Sequence, residues 1–100
     1  MLRHVVLFRW KPGTTPAELA ALERALGEMP RRVPEIRRYR FGRDAGLAQG
    51  NFDFAVVADF DDAAGWRAYW ANEFHQQLIA ERVRPISAER VALQFELVPE

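Results

Sequence analysis

The sequence contains no cysteine, no net charge and no long apolar run. The absence of cysteine excludes disulfide bonds, thiolate nucleophiles and cysteine-ligated metals. The 14 basic and 14 acidic residues cancel, so electrostatics give no reason to expect binding to nucleic acid or to an anionic membrane. The apolar run near the first residue is interrupted by Arg9 and is too short for a signal peptide or a membrane span, so we expect a cytoplasmic location.

Three motifs that carry common chemistry are also missing. The chain has no GxGxxG, no GxSxG and no HExxH pattern, so we expect no phosphate-binding loop, no serine nucleophile elbow and no zinc-binding helix. We accordingly expect no metal and no organic cofactor. The chain does have 49% apolar and 28% charged residues, which is typical of a globular protein. Its length predicts a single domain over residues 1–100.

Hydrophobic periodicity predicts four strands and two helical regions. The strands are predicted at residues 2–10, 36–43, 52–60 and 90–97. The helical regions follow Thr15 and Asp61 or Asp62, side chains that can cap a helix N-terminus. The order βαββαβ is that of a ferredoxin-like plait, an α+β fold with an antiparallel four-stranded sheet. Right-handed crossovers would place both helical regions on one face and the first and third strands at the centre.

The first helix has clear signals at both ends. Thr15 is the predicted N-cap, Pro16 takes the first helical position and Glu18 completes a capping box. Pro30 and Pro34 are predicted to end the helix. One face carries an apolar stripe, which consists of Leu19, Leu22, Leu26 and Met29.

The two central strands are apolar on both faces. The face that the helices would cover carries His4, Val6, Phe8, Phe54 and Val56. The other face carries Val5, Leu7, Ala55 and Val57. An uncovered apolar face of this kind marks an interface. We therefore expect a symmetric homodimer in which these second faces pack together and the two sheets close into an α+β barrel.

The stretch YWANEFHQQL contains Tyr69 and His75, six positions apart. On one continuous helix six residues turn through about 600°, which would point the two side chains to nearly opposite sides. The apolar stripe of this helical region also shifts by roughly half a turn along its length. A helix break with Asn72 as a new N-cap resolves both conflicts. The break would place both side chains over the part of the sheet that carries His4 and Phe54.

Four segments together resemble the stress-responsive A/B barrel family, known as Dabb. They are RHVVLFRWKPG, VPEIRRYRFGRD, FDFAVVADF and YWANEFH, and the resemblance covers essentially the whole chain. It implies a small α+β barrel subunit that forms a dimer. Many bacterial members of the family have no assigned activity.

Plant polyketide cyclases of this family imply a role for the residues on either side of the break. Those enzymes use a tyrosine and a histidine at the spacing of Tyr69 and His75, with another histidine near the start of the first strand, where His4 stands. Two departures are visible. The segment YWANEFH has Asn-Glu where the family often has His-Pro, and Phe54 stands at a position that is polar in the cyclase pocket. The resemblance thus implies an intact pair in a more apolar pocket.

The implied reaction is an intramolecular aldol or Claisen cyclisation. It needs a base to remove a proton next to a carbonyl group and a donor to stabilise the enolate, and an imidazole and a phenol can fill those roles without a cofactor. In this interpretation His75 is the base and Tyr69 polarises the carbonyl group of a small apolar or polyketide-like ligand. The residues expected to line the pocket are His4, Val6, Phe8, Tyr39, Phe54 and Trp70.

Other interpretations of the same residues stay open. His75 is also consistent with a buried histidine bonded to the backbone, and Tyr69, Trp66 and Trp70 with packing residues rather than contacts to a ligand. Haem-degrading and antibiotic-biosynthesis monooxygenases share the barrel, and Trp66 with His75 allows that function, although the first-strand asparagine of the haem enzymes is absent. The third class is a non-enzymatic dimer that binds or protects without turnover.

Overall fold

The computed structural model describes residues 1–99, which form a four-stranded antiparallel sheet with helices on one face. The strands are β1 (Leu2–Trp10), β2 (Arg38–Arg43), β3 (Phe54–Phe60) and β4 (Ser87–Glu96). The helices are α1 (Pro16–Arg32), α2 (Ala63–Ala71) and α3 (Glu73–Leu78), and a π-helical segment (Ile79–Val83) follows α3. The sheet order β2-β3-β1-β4 puts β1 and β3 at the centre, which confirms the predicted ferredoxin-like α+β fold. Among residues 1–99, no helix combines the length and the apolarity that a bilayer span requires.

The strand ends differ from the predicted bounds where local hydrogen bonds compete with strand pairing. The second and third strands begin two residues later than predicted, at Arg38 and Phe54. Before β3, the Asp53 carboxylate accepts a hydrogen bond from the Trp10 N–H at 2.8 Å and so holds the end of β1. The fourth strand begins earlier than predicted, at Ser87, because its pairing with β1 extends as far as Trp10.

The start of α1 is confirmed, and one part of its predicted end is wrong. The Glu18 N–H donates to the Thr15 hydroxyl at 3.2 Å, and the Thr15 N–H donates to the Glu18 carboxylate at 2.9 Å, which completes the capping box. Pro30 does not end the helix, because α1 continues to Arg32 and stops two residues before Pro34. Pro30 lies in the last turn of α1, where it removes one backbone donor from the helix, and it is exposed.

The core lies between the helices and the face that carries the even-numbered residues of β1 and β3. Side chains on this face are almost completely buried: Val6, Phe8, Phe54, Val56, Ala58 and Phe60. Three members of the predicted α1 stripe are buried against them, namely Leu22, Leu26 and Met29. The apolar stripe of α1 therefore packs on the sheet face that also carries His4.

Within residues 1–99, no helix covers the opposite face, which we call the open face. The register places three apolar side chains in each of two rows across this face: Val57, Val5 and Leu93, then Ala55, Leu7 and Val91. The β4 residues extend the apolar band that the sequence predicted from β1 and β3 alone. Leu93 is 58% exposed and Phe95 is 42% exposed in a single chain. Side chains of this size at this exposure favour burial against another surface.

Candidate functional site

The second helical region is interrupted at Asn72, as predicted. The residue has extended backbone torsions, φ −61° and ψ 134°, between the end of α2 and the start of α3. Its side-chain oxygen accepts hydrogen bonds from the N–H groups of Phe74 and His75 at 2.9 and 3.3 Å. Its side-chain nitrogen donates to the Arg32 carbonyl oxygen at 3.3 Å. Asn72 therefore caps α3 and ties it to the end of α1.

We expect Asn72→Ala to lower the free energy of unfolding by about 1–2 kcal/mol, because the substitution removes the N-cap of α3. Asn72→Asp keeps an oxygen in the capping position and is the matched control, with a smaller expected loss. Urea denaturation at fixed protein concentration measures both variants. Wild-type stability in Asn72→Ala would contradict the role given to this cap.

The interruption brings Tyr69 and His75 into contact. Their ring centroids lie 4.1 Å apart, and the residues are only 3% and 4% exposed. The His4 ring lies 5.9 Å from the Tyr69 ring, so the pair faces the predicted part of the sheet. A continuous helix would have separated the two side chains, so the geometry of the site depends on the break.

Two more polar side chains reach this region from the sheet. Tyr39 on β2 has its hydroxyl oxygen 3.4 Å from that of Tyr69. His4 on β1 has its Nδ1 2.9 Å from the side-chain nitrogen of Gln94 on β4. An amide nitrogen only donates, so with this arrangement Nδ1 accepts and the His4 proton lies on Nε2. The site thus combines two phenols and two imidazoles.

All eight candidate residues line one cavity between the sheet and the helices. They are His4, Val6, Phe8, Tyr39, Phe54, Tyr69, Trp70 and His75. The cavity volume is about 30 Å³, which is room for about two water molecules. An outer pocket of about 220 Å³ lies against it. The two spaces share five lining residues, which we call the shared wall: Trp70, His75, Ile79, Val83 and Arg90.

Sequence reasoning missed two residues of β4 that belong to this region. Arg90 lines both spaces, and Gln94 contacts His4. The register places Arg90 opposite Phe8 and Gln94 opposite His4, on the side of the sheet that the helices cover. The alternation of β4 was visible in the sequence. The alignment of β4 with β1, which assigns its even-numbered residues to the site, was not.

The two tryptophans of α2 take different positions. Trp66 packs against His4 with ring centroids 6.2 Å apart and does not line the cavity, whereas Trp70 does and is 42% exposed. Of the two, Trp70 is therefore placed to contact a ligand. Within residues 1–99, two buried ring nitrogens have no hydrogen-bond partner, Nε1 of Trp66 and Nδ1 of His75. The unpartnered nitrogen of His75 is available to a group that enters the site.

Burial keeps the polar groups of the cavity uncharged. It lowers the pKa of His4 and of His75 to about 4; the nearby Arg90 cation acts in the same direction on both, and a hydrogen bond with the Trp70 backbone opposes it at His75. Burial also raises the pKa of the Tyr39 and Tyr69 phenols. Near neutral pH the imidazoles are thus neutral and the phenols protonated. No aspartate or glutamate lines either space, and residues 1–99 contain no acidic or histidine cluster that could hold a metal ion.

The depressed histidine pKa values predict a loss of stability in mild acid. The folded-state pKa of about 4 for both imidazoles lies below the ordinary value of 6.5. Between these values the unfolded chain binds more protons, so the contribution of the two histidines to the free energy of unfolding should be constant above pH 6.5 and fall as the pH decreases toward 4. Urea titrations across this range test the slope. The double variant His4→Gln/His75→Gln should flatten it, and an equal slope in that variant would contradict the assignment.

Comparison with known sequences and structures identifies similar proteins. A sequence model described as the stress responsive A/B barrel domain matches residues 2–97, which confirms the resemblance seen in the sequence. No curated protein matches the chain. A dimeric ferredoxin-like protein of unknown function from Thermobifida fusca is 46% identical in sequence. The match covers 96% of this chain and 90% of that chain, and the two structures superpose with a TM-score of 0.89.

Two more distant structures share the fold and have named activities. A hydroxynitrile lyase from Passiflora edulis is 20% identical, with 98% of this chain and 96% of that chain covered and a TM-score of 0.82. An antibiotic biosynthesis monooxygenase is 22% identical, with 99% of this chain and 100% of that chain covered and a TM-score of 0.79. At these identities the similarity shows the fold alone, and one fold can host unrelated reactions.

Proposed function

Because the chain belongs to the stress responsive A/B barrel domain family, we propose that it is a homodimer in which Tyr69 and His75 move a proton next to a carbonyl group of a small, largely apolar ligand. The proposed reaction is a cofactor-free aldol or Claisen cyclisation of a polyketide-like substrate. The observation that carries the proposal is the contact of these two rings, 4.1 Å between centroids, inside a mostly apolar cavity. The dimeric Thermobifida fusca structure and the apolar open face support the homodimer.

In this proposal His75 acts as the base. Its neutral imidazole takes a proton from the carbon next to a carbonyl group, and the enolate carbon attacks a second carbonyl carbon to close a ring. In an aldol closure the new alkoxide recovers a proton, and in a Claisen closure a thiolate leaves. Tyr69 stays protonated and donates to the enolate oxygen, while Tyr39 holds the Tyr69 hydroxyl at 3.4 Å.

The low pKa of His75 makes it a weak base while the cavity is empty. The value of about 4 results mainly from burial, which penalises the charged imidazolium. A negative charge that forms beside the ring stabilises the imidazolium and raises the His75 pKa as the proton moves. The developing enolate therefore offsets part of the cost of charging a buried histidine.

A ligand of polyketide size requires the shared wall to move. Small-molecule pockets commonly enclose about 300–1,000 Å³, whereas the inner cavity has about 30 Å³. The π-helical segment supplies Ile79 and Val83 to this wall. Its backbone hydrogen bond joins residues five positions apart: the Arg84 N–H donates to the Ile79 carbonyl oxygen at 2.9 Å. Such segments often occur at functional sites because their backbone pairing is less regular than that of an α-helix.

A binding dimer without turnover is the second candidate function. The small volume of the inner cavity and the weak basicity of His75 favour it. The monooxygenase alternative has less support from the site. For the haem-degrading class, His75 is 4% exposed and packs against Tyr69, which leaves its ring little open surface for haem.

A cyclisation assay tests the proposed reaction. The protein is incubated with a poly-β-keto thioester, and ring-closed product is quantified by mass spectrometry against a buffer blank. We expect product to form faster than in the blank. Bound but unchanged thioester would instead support the binding dimer.

A further inference from the structure

Arg90 differs in its surroundings from the paired arginines of this chain. Four arginines hold carboxylates at 2.8–3.0 Å: Arg3 with Asp59, Arg9 with Glu89, Arg37 with Asp61 and Arg43 with Glu23. Within residues 1–99, Arg90 has neither an ion pair nor a side-chain hydrogen bond. Other surface arginines also have no carboxylate partner, but Arg90 alone among them lines both the inner cavity and the outer pocket.

Trp70 supplies an apolar surface next to this cation. The Arg90 guanidinium carbon lies 5.6 Å from the centre of the Trp70 ring, within the range of a cation–π contact. Trp70 itself lines both spaces. Arg90 is exposed, so the pair offers a solvent-accessible cation and a flat apolar face where the outer pocket meets the Tyr69–His75 cavity.

The charge of Arg90 is not balanced inside the site. Among residues 1–99, no carboxylate lines either space, and both imidazoles are neutral near neutral pH. The Arg90 charge lowers the pKa of His4, of His75 and of Tyr69, in each case after the larger effect of burial. The positive potential thus extends across the reactive groups, and such a potential favours an anionic ligand group.

We propose that Arg90 and Trp70 form an oxyanion-binding subsite, so that the ligand is an amphipathic carboxylate or phosphate whose charged end binds Arg90 while its apolar body enters the cavity. The guanidinium can donate two parallel hydrogen bonds to either group. The inference rests on the proposed function only in assuming that the cavity admits a ligand. It would orient such a ligand with its uncharged end toward Tyr69 and His75.

Three ligands with the same tail test the charge requirement. Octanoate, octyl phosphate and 1-octanol are titrated into the wild-type protein by calorimetry. We expect octanoate or octyl phosphate to bind about 10- to 100-fold more tightly than 1-octanol, the range for a hydrogen bond to a charged group. The tighter of the two anions identifies carboxylate or phosphate as the natural end group.

Variants then assign the effect to Arg90. Arg90→Gln should bring the ratio of anion affinity to 1-octanol affinity close to one, and Arg90→Lys should keep part of that ratio because the charge remains without the bidentate geometry. Arg24→Gln, an exposed arginine of α1, is the matched control and should behave as wild type. Binding of 1-octanol as tightly as both anions, or an unchanged preference in Arg90→Gln, overturns the subsite and leaves the proposed cavity standing. Absence of binding by all three ligands overturns the subsite and the ligand cavity together.

Discussion

His75→Ala should abolish cyclisation of a poly-β-keto thioester, and Tyr69→Phe should slow it by about 10²-fold, the size expected when one donor to an oxyanion is lost. The difference arises because His75 provides the base of the proposed step, whereas Tyr69 stabilises the enolate that the step produces. Both side chains are buried in one cavity with their rings 4.1 Å apart. Initial rates at saturating thioester measure the effects.

Two controls separate chemistry from loss of structure. Gln77→Ala alters an exposed residue of the same helix as His75 and should leave the rate unchanged. Tyr39→Phe removes the hydroxyl 3.4 Å from that of Tyr69 and should lower the rate less than Tyr69→Phe does. Full activity of a folded His75→Ala variant would exclude His75 as the base and favour a different chemistry or the binding dimer.

Val57→Arg should convert the proposed dimer into monomers or insoluble protein. Val57 lies between Val5 and Arg40 on the open face, where the register gives it one neighbour on each side. The new side chain would bury a cation beside an existing arginine, at a cost of about 3–5 kcal/mol when no counter-charge is present. Sedimentation equilibrium over a range of concentrations measures the dissociation.

The helix surface provides the matched control for this experiment. Gln77→Arg adds the same side chain at an exposed position of α3, where Glu81 already accepts a hydrogen bond from Gln77 at 3.2 Å. We expect this variant to sediment as wild type does. A Val57→Arg protein that remains a dimer with wild-type affinity would show that the open face is not the interface.

The features that the sequence predicted well depend on local patterns. The capping box at Thr15 and Glu18 is formed by residues three positions apart, and the break at Asn72 follows from a shift of the apolar stripe within one segment. Because successive side chains of a strand point to opposite faces, the alternation of the central strands also predicted which of their residues share a face with His4. These predictions needed no knowledge of how distant segments align.

The features that the sequence missed depend on contacts between distant segments. Gln94 is 90 positions from His4, and only the register of β4 on β1 brings the two together. Arg90 joins the site for the same reason. The small volume of the cavity reflects how side chains from several elements fill the space between sheet and helices, which residue spacing does not reveal.

The central claim is that His75 removes a proton from a carbon next to a carbonyl group inside this cavity. Deuterium uptake at the carbon between the two carbonyl groups of an acetoacetyl thioester tests it most directly, because exchange requires proton removal but no ring closure. Nuclear magnetic resonance would follow the exchange in deuterated buffer with wild type, His75→Ala and Gln77→Ala. The account predicts uptake above the buffer rate for wild type and Gln77→Ala and the buffer rate for His75→Ala. Equal uptake with His75→Ala and wild type would contradict it.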